Sequence, residues 1–362
     1  MLNKLIKTFI SVPFIFLVGT VNVQAAEFGL FSDVTFSDSG PDEANPSFAL
    51  GALDFYGTAQ IDDKTRVFVE YVFENSDDGL VTDLERLWIT RTIRDELSIG
   101  VGRFHTPLGF WNRTYHHGAI LQDTVSRPFF LDFEDGAGAI LPVHIVGLMA
   151  SGDIGMSVGD LHYEAYIANG PSINANSTIP TSDREIEIND GADPNSAKTL
   201  GFRATFTPAD FDLSFSAFAM SNLIADTGNG NRDLVTQLIS GVDVNYMLGD
   251  FDLLAEFYNL SNKDEVGSLG TQSGIAYFAQ LGYQVTDSLK VTVRHEAIST
   301  QEGDDRYFKE LGITDASRNI AALRYDLDDT NALKFEVSQT SPKDSAMDDI
   351  KAYVLQWSFL VP

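Results

Sequence analysis

The sequence contains no cysteine. Disulfides, thiolate metal sites and cysteine nucleophiles are therefore excluded. Basic residues are scarce, with 24 lysines and arginines against 52 aspartates and glutamates and a formal net charge of -28. That balance argues against a nucleic-acid partner, because the phosphate backbone needs a cationic surface. It argues equally against a basic anchor on anionic lipid. Proline is sparse, at 12 of 362 residues. Beyond residue 25 no apolar run is long enough to span a membrane as a helix. What the chain does have is 26 phenylalanines, 29 glycines and 44% hydrophobic content. Such a composition is not that of a disordered acidic chain, and it fits a β-rich protein.

Residues 1–25 read as a secretory signal peptide. Lys4 and Lys7 supply a positive start, and Thr8 to Val21 is an apolar run. Val23-Gln24-Ala25 offers small residues for cleavage before Ala26. The apolar run is short for a spanning helix. The mature chain, 26–362, is expected to be one domain.

Its pattern is period two. Leu333, Phe335 and Val337 alternate with Lys334, Glu336 and Ser338. Leu289, Val291 and Val293 alternate with Lys290, Thr292 and Arg294. One apolar face at this period marks a strand. Sixteen such segments fall near 28–36, 48–61, 65–75, 84–93, 97–105, 139–151, 160–169, 198–207, 211–221, 234–247, 251–261, 274–285, 288–299, 317–327, 331–340 and 348–360. Many have ten or more residues, whereas strands of soluble proteins usually run about five or six. A tilted membrane strand needs roughly nine to eleven.

Connections alternate in length. Short ones centre on Asp62-Asp63-Lys64, Arg94-Asp95-Glu96, Ser157-Val158-Gly159, Pro208-Ala209-Asp210, Leu248-Gly249-Asp250, Thr286-Asp287 and Asp328-Asp329-Thr330. Long ones fall near 37–47, 76–83, 106–138, 170–197, 222–233, 262–273, 300–316 and 341–347. The expected fold is all-β: a transmembrane antiparallel β-barrel of about 16 strands, with short periplasmic turns and long extracellular loops. Closure leaves no unpaired backbone edge in lipid. The last segment, with Tyr353, Leu355, Trp357 and Phe359 on one face, looks like the terminal strand read by barrel-assembly machinery. It departs from that pattern in ending Leu360-Val361-Pro362 rather than on an aromatic residue.

An aqueous lumen follows from the strand count. The side chains expected to line it are Arg66, Glu70, Arg86, Glu164, Arg203, Glu256, Arg294, Glu296, Arg324, Lys334 and Glu336, with Lys290, Glu74, Asp212, Asp252 and Asp326 beside them. Acids are at least as numerous as bases, so mild cation preference is expected. The third long connection, 106–138, is unusual in content. It carries Arg113, His116, His117, Asp123, Arg127, Asp132, Glu134 and Asp135, with His105 and His144 at its edges. Phe110, Trp111, Tyr115, Phe129, Phe130 and Phe133 could pack it against the wall.

Three roles are open for this loop. It is a structural plug, or a constriction whose Arg113 and Arg127 face Asp123, Asp132, Glu134 and Asp135 across the pore, or a transition-metal site at His116 and His117. Adjacent histidines on a strand point to opposite faces, so that pair alone is a poor chelate. No metal or other cofactor is required by the pattern. The acids Asp183, Glu185, Glu187, Asp190 and Asp193 in 170–197 do not have EF-hand spacing and read as solvated surface.

At Gly102-Arg103-Phe104-His105-Thr106-Pro107-Leu108-Gly109 the sequence resembles outer-membrane porins of the phosphate-selective O and P type. The shared pattern is a glycine, a basic residue, then proline, a bulky residue and glycine, closing a strand ahead of a long loop. The resemblance covers only these few residues. It implies a porin-like protein; separately, loop order and length resemble general porins, whose third loop folds inward, and many sixteen-stranded porins are trimers. Phosphate specificity is not implied, because the inward bases are matched by acids.

No Gly-x-Ser-x-Gly or comparable catalytic motif is present, so an enzyme is not expected. The strand pattern starts near residue 28, so a plug domain of energised uptake is not expected. The expected function is passive diffusion of small hydrophilic solutes or ions through the outer membrane of a Gram-negative bacterium. Lipid and lipopolysaccharide would be the other partners. The alternatives are a substrate- or metal-specific uptake channel using the histidine-rich loop, and a non-conducting structural or adhesive barrel.

Overall fold

The structure, a computed structural model, describes residues 26–38, 45–76, 79–116, 118–134, 136, 138–188, 191–300, 304–344 and 347–362. The expected signal peptide lies outside the described residues, as do His117, Asp135 and Asp190. The alternating segments form one closed sheet. In chain order its strands are β1 (Ala26–Asp38), β2 (Ser47–Leu50), β3 (Leu53–Asp62), β4 (Thr65–Ser76), β5 (Gly79–Arg94) and β6 (Leu97–His105). After a long connection come β7 (His144–Met156), β8 (Gly159–Asn169), the two-residue β9 (Ser172–Ile173), β10 (Lys198–Pro208), β11 (Leu213–Asp226) and β12 (Arg232–Leu248). The wall is completed by β13 (Phe251–Asp264), β14 (Thr271–Thr286), β15 (Leu289–Thr300), β16 (Ala316–Asp328), β17 (Asn331–Pro342) and β18 (Ile350–Val361).

β2 and β3 are two parts of one stave, both bonded to β1. β9 pairs in parallel with only the end of β11. The wall therefore has sixteen staves, all antiparallel. It closes where β1 meets β18, with Leu30 opposite Val361 and Asp38 opposite Tyr353.

The period-two pattern decides which face is which. On β17 the apolar Leu333 and Phe335 are exposed at 41% and 37%, while Lys334 and Glu336 are buried at 2% and 1%. That is the reverse of a soluble sandwich. The exposed belt also includes Phe215, Val242, Phe257, Leu323 and Leu355. Such a surface is stable only against acyl chains, which have no water to exclude.

The short connections fall where the alternation placed them. Asp62 faces Thr65, Arg94 faces Leu97, Leu248 faces Phe251 and Asp328 faces Asn331 across tight turns. The other side differs from expectation in several places. The connection expected at 76–83 is a tight hairpin, because β4 and β5 stay paired to Ser76 and Gly79. Gly79 has φ +111, which a turn there needs and other residues rarely adopt. β11 runs on to Asp226 and β12 begins at Arg232, which shortens the loop expected at 222–233. The segment expected at 139–151 starts only at His144. Ala139, Ile140, Leu141 and Val143 are apolar because they are buried inside the barrel, not because they form wall. Asp212, expected to face the lumen, sits exposed in a turn, where its carbonyl accepts the Met247 N–H.

Candidate functional site

The chain between β6 and β7 enters the lumen and is bonded to the inner face of the wall. Its two ends are pinned together. The Thr106 N–H donates to the Val143 carbonyl at 2.8 Å. The buried Asn112 side chain donates to the carbonyls of Thr106 and Val143. Gly109, with φ +74, lets the backbone pass close to Tyr258; any Cβ there would collide with its hydroxyl.

Each later stretch meets an inward charge. In the short helix α1 (Phe110–Thr114), the Trp111 N–H donates to Glu256 at 2.6 Å. Glu256 is also held by the Tyr258 hydroxyl. The carbonyls of Ile120 and Gln122 accept from Arg324 at 2.6 and 2.9 Å, and that of Ala119 accepts from Lys334. Asp123 pairs with Lys290 at 2.7 Å. Arg294 donates to the Thr124 hydroxyl and the Ser126 carbonyl at 2.7 and 2.8 Å. Glu336 accepts the N–H groups of Val125 and Ser126. Glu296 accepts the Phe129 N–H at 2.6 Å. Arg318 donates to the Arg127 carbonyl.

These bonds satisfy backbone groups that would otherwise be buried without partners, and most are strengthened by a charge. Aromatic packing completes the attachment. Trp111 and Phe130 are fully buried against Phe278, with Tyr258 beside Phe130. Burial, with Asp123 and Asp252 nearby, pushes the Tyr115 hydroxyl well above its ordinary range, so it stays neutral.

The inserted segment thus leans on β13 and β15 to β17. The inward charges Glu256, Arg294, Glu296, Arg324, Lys334 and Glu336 hold it there. Arg203 belongs to the wall alone, bonded twice to Asp243 at 2.7 and 2.9 Å. Among the described charges of the segment, Arg113 and Asp123 each pair with the wall and not with one another. Arg113 reaches the wall at Glu164, 3.0 Å away. The Arg127 guanidinium lies 3.8 Å over the Phe133 ring. Asp132 accepts the Phe133 N–H.

Space remains toward β4 to β8. A cavity of about 340 Å³ extends from mid-barrel toward the short-turn end. Arg66, Arg86, Arg113 and Glu164 line it, and Arg86 pairs with Glu70 and lies 4.2 Å over Phe68. A second cavity, of about 460 Å³, lies toward the long-loop end. Its walls carry Glu74, Asp83, Glu85, Glu134, Glu185 and Glu187 against Arg103 and His144. Glu187, expected as solvated surface, instead accepts the hydroxyls of Ser172 and Thr227. That folds part of 170–197 over the acidic cavity.

Between the cavities stand three imidazoles. His105 ends β6 and His144 begins β7, directly opposite each other in the sheet. His116 comes from the inserted segment. One ring nitrogen from each lies within 4.8 Å of the others. Carboxylates surround them. Glu85 is 2.7 Å from His144 Nε2 and 3.5 Å from His116 Nε2. Glu134 is 2.7 Å from His144 Nδ1, and Glu70 is 3.7 Å from His105 Nε2. Glu85 reaches the interior because of a bulge: the pairing slips between Glu70 opposite Arg86 and Val72 opposite Asp83. Bulges of this kind re-aim side chains. The sequence placed His105 and His144 at the edges of one loop; that they face each other depends on register and could not be read from it. Glu85 had no signal, because alternation assigns it to the face opposite Arg86.

No protein-family model matches the sequence, and no curated protein matches it. Solved structures do. The anion-selective porin from Comamonas acidovorans has a TM-score of 0.64 at 12% identity, over 93% of this chain and 99% of that one. The outer-membrane channel DcaP of Acinetobacter baumannii gives 0.64 at 12% identity, over 92% and 96%. Pseudomonas putida OprB gives 0.59 at 11% identity, over 93% and 94%. The shared feature is the fold, a barrel of the outer-membrane kind.

Proposed function

We propose that the mature chain is a porin of a Gram-negative outer membrane. It would pass small hydrophilic solutes or ions by diffusion, without catalysis. The observation that carries this reading is the partial filling of the lumen. One half of the wall holds the inserted segment 106–143; the other half leaves two polar cavities beside it. A structural barrel with no transport role would gain by packing that side as well.

The segment would act as the constriction. The acidic cavity toward the long loops would concentrate cations at the mouth, as clefts lined by one sign of charge do. Cation preference is therefore expected, in contrast to the selectivity named for the Comamonas neighbour. The resemblance at Gly102–Gly109 to phosphate-selective porins supports a porin in the broad sense; the lining acids speak against phosphate as the solute. Export would follow cleavage before Ala26. A homotrimer is the expected assembly, since one structural neighbour, OmpT of Vibrio cholerae, is known in a trimer form. Lipid and lipopolysaccharide would meet the belt and loops, and barrel-assembly machinery the terminal strand.

Planar-bilayer recording of the purified mature chain in a salt gradient tests this. Stepwise conductance with a cation-selective reversal potential is expected. Silence from demonstrably folded protein would remove the reading.

A further inference from the structure

We infer that His105, His116 and His144, with Glu85 as a fourth ligand, bind one divalent transition-metal ion of the zinc, copper or nickel class. This site differs from the adjacent pair His116 and His117 considered in the sequence. It does not depend on conduction.

Three arguments converge. The first is donor chemistry. Imidazole nitrogens suit zinc, copper and nickel, whereas calcium and magnesium take oxygen ligands. Three imidazoles and one carboxylate fit a tetrahedral ion. Nitrogens at about 2.0–2.1 Å from zinc sit about 3.4 Å apart. The three ring nitrogens here are already within 4.8 Å of one another.

The second is preorganisation. His105 and His144 are fixed opposite each other by strand pairing. His144 presents Nδ1 to Glu134 and Nε2 to Glu85, so Nε2 is the atom that would meet an ion taken up beside Glu85. A carboxylate on the far ring nitrogen is the usual device for fixing the tautomer of a metal-bound histidine. Glu134 is in turn 3.8 Å from Arg103. Glu85 already lies near both His144 and His116, which puts its carboxylate within reach of an ion held between those rings.

The third is charge. The groups within 4 Å of the rings include Glu70, Glu85 and Glu134, so the site favours a dication. All three rings are nearly inaccessible, with His105, His116 and His144 exposed at 9%, 5% and 1%. Since His116 belongs to the inserted segment, a bound ion would add a further tie between that segment and β5, β6 and β7, beside the contacts of Glu134 with His144 and Arg103.

The test is calorimetric titration of Zn²⁺ into the mature chain, refolded in detergent and stripped with chelator. One ion per chain is expected. His105→Ala, His116→Ala and His144→Ala should each weaken binding at least 100-fold, and Glu134→Gln by about 10- to 100-fold. His295→Ala, on the outer face, should change nothing. Heat-dependent gel mobility reports whether each barrel is intact, and glutamine variants replace any alanine variant that does not fold. Co²⁺ in place of Zn²⁺ should give the visible bands of a four-coordinate ion. Absence of binding to the folded wild-type chain overturns the inference, and so does full-strength binding by any one folded histidine variant. A chain that binds Zn²⁺ but passes no current would sink the channel reading and leave this one standing.

Discussion

The carboxylate of Glu256 accepts the backbone N–H of Trp111 at 2.6 Å, across 145 residues of chain. It joins the middle of one barrel stave to the first turn of the inserted segment. Both partners are buried, so neither has water as a substitute. Removing the acceptor strands a buried donor, which costs about 1–3 kcal/mol.

Glu256→Ala should therefore loosen the segment while leaving the wall closed. Local opening of 106–143 should become about 5- to 150-fold more frequent. Limited proteolysis at residues 110–140 reads this directly, and single-channel current should become larger and noisier. An unchanged cleavage rate would mean that the segment is held without this bond.

The Arg203 and Asp243 pair offers a test of the wall itself. It is almost fully buried, at 1% and 3% exposure. Losing Arg203 alone leaves an uncompensated carboxylate, which typically costs about 3–5 kcal/mol. Arg203→Met should lower the denaturant midpoint sharply. Adding Asp243→Leu should recover most of the loss. Additive losses in the double variant would contradict the pairing.

Leu355 faces outward near the middle of β18, and Gln356 faces in. An arginine on the lipid face at mid-depth costs about 2–4 kcal/mol. Leu355→Arg should destabilise the barrel in vesicles by that amount in equilibrium unfolding. A negligible effect would mean that the exposed apolar belt does not meet acyl chains.

Selectivity should follow the acids of the outer cavity. Asp83 is half-exposed beside Arg103, and Glu185 shares the same wall. Asp83→Asn combined with Glu185→Gln should move the reversal potential toward that of an unselective pore. Arg113→Ala, in the cavity nearer the short turns, should move it the other way. Shifts in the opposite sense would place the rate-limiting charges elsewhere.

The barrel was legible because a period of two repeats along the whole mature chain, and because one face of each strand is apolar. Leu333 to Ser338 shows the reason: a lipid-facing side chain and a lumen-facing one must alternate. Turn positions were legible for the same reason. The inserted segment was less so. Ala139 to Val143 looks like strand because burial inside a barrel selects the same apolar residues as a wall does. The inward charges Glu256, Glu296 and Glu336 could be assigned to a face, but not to their partners. Those partners are backbone N–H groups, which carry no sequence signature. The three histidines were visible as a cluster in sequence only in part. His105 and His144 meet through strand register, and Glu85 joins them through a bulge that breaks the very alternation used to read the fold.

The most direct test of diffusion beside the inserted segment is the reversal potential of the wild-type barrel in a potassium chloride gradient across a planar bilayer. Stepwise current that reverses on the cation side is the expected result. Folded protein that never conducts would contradict it, and would leave the cavities of this barrel closed to solutes.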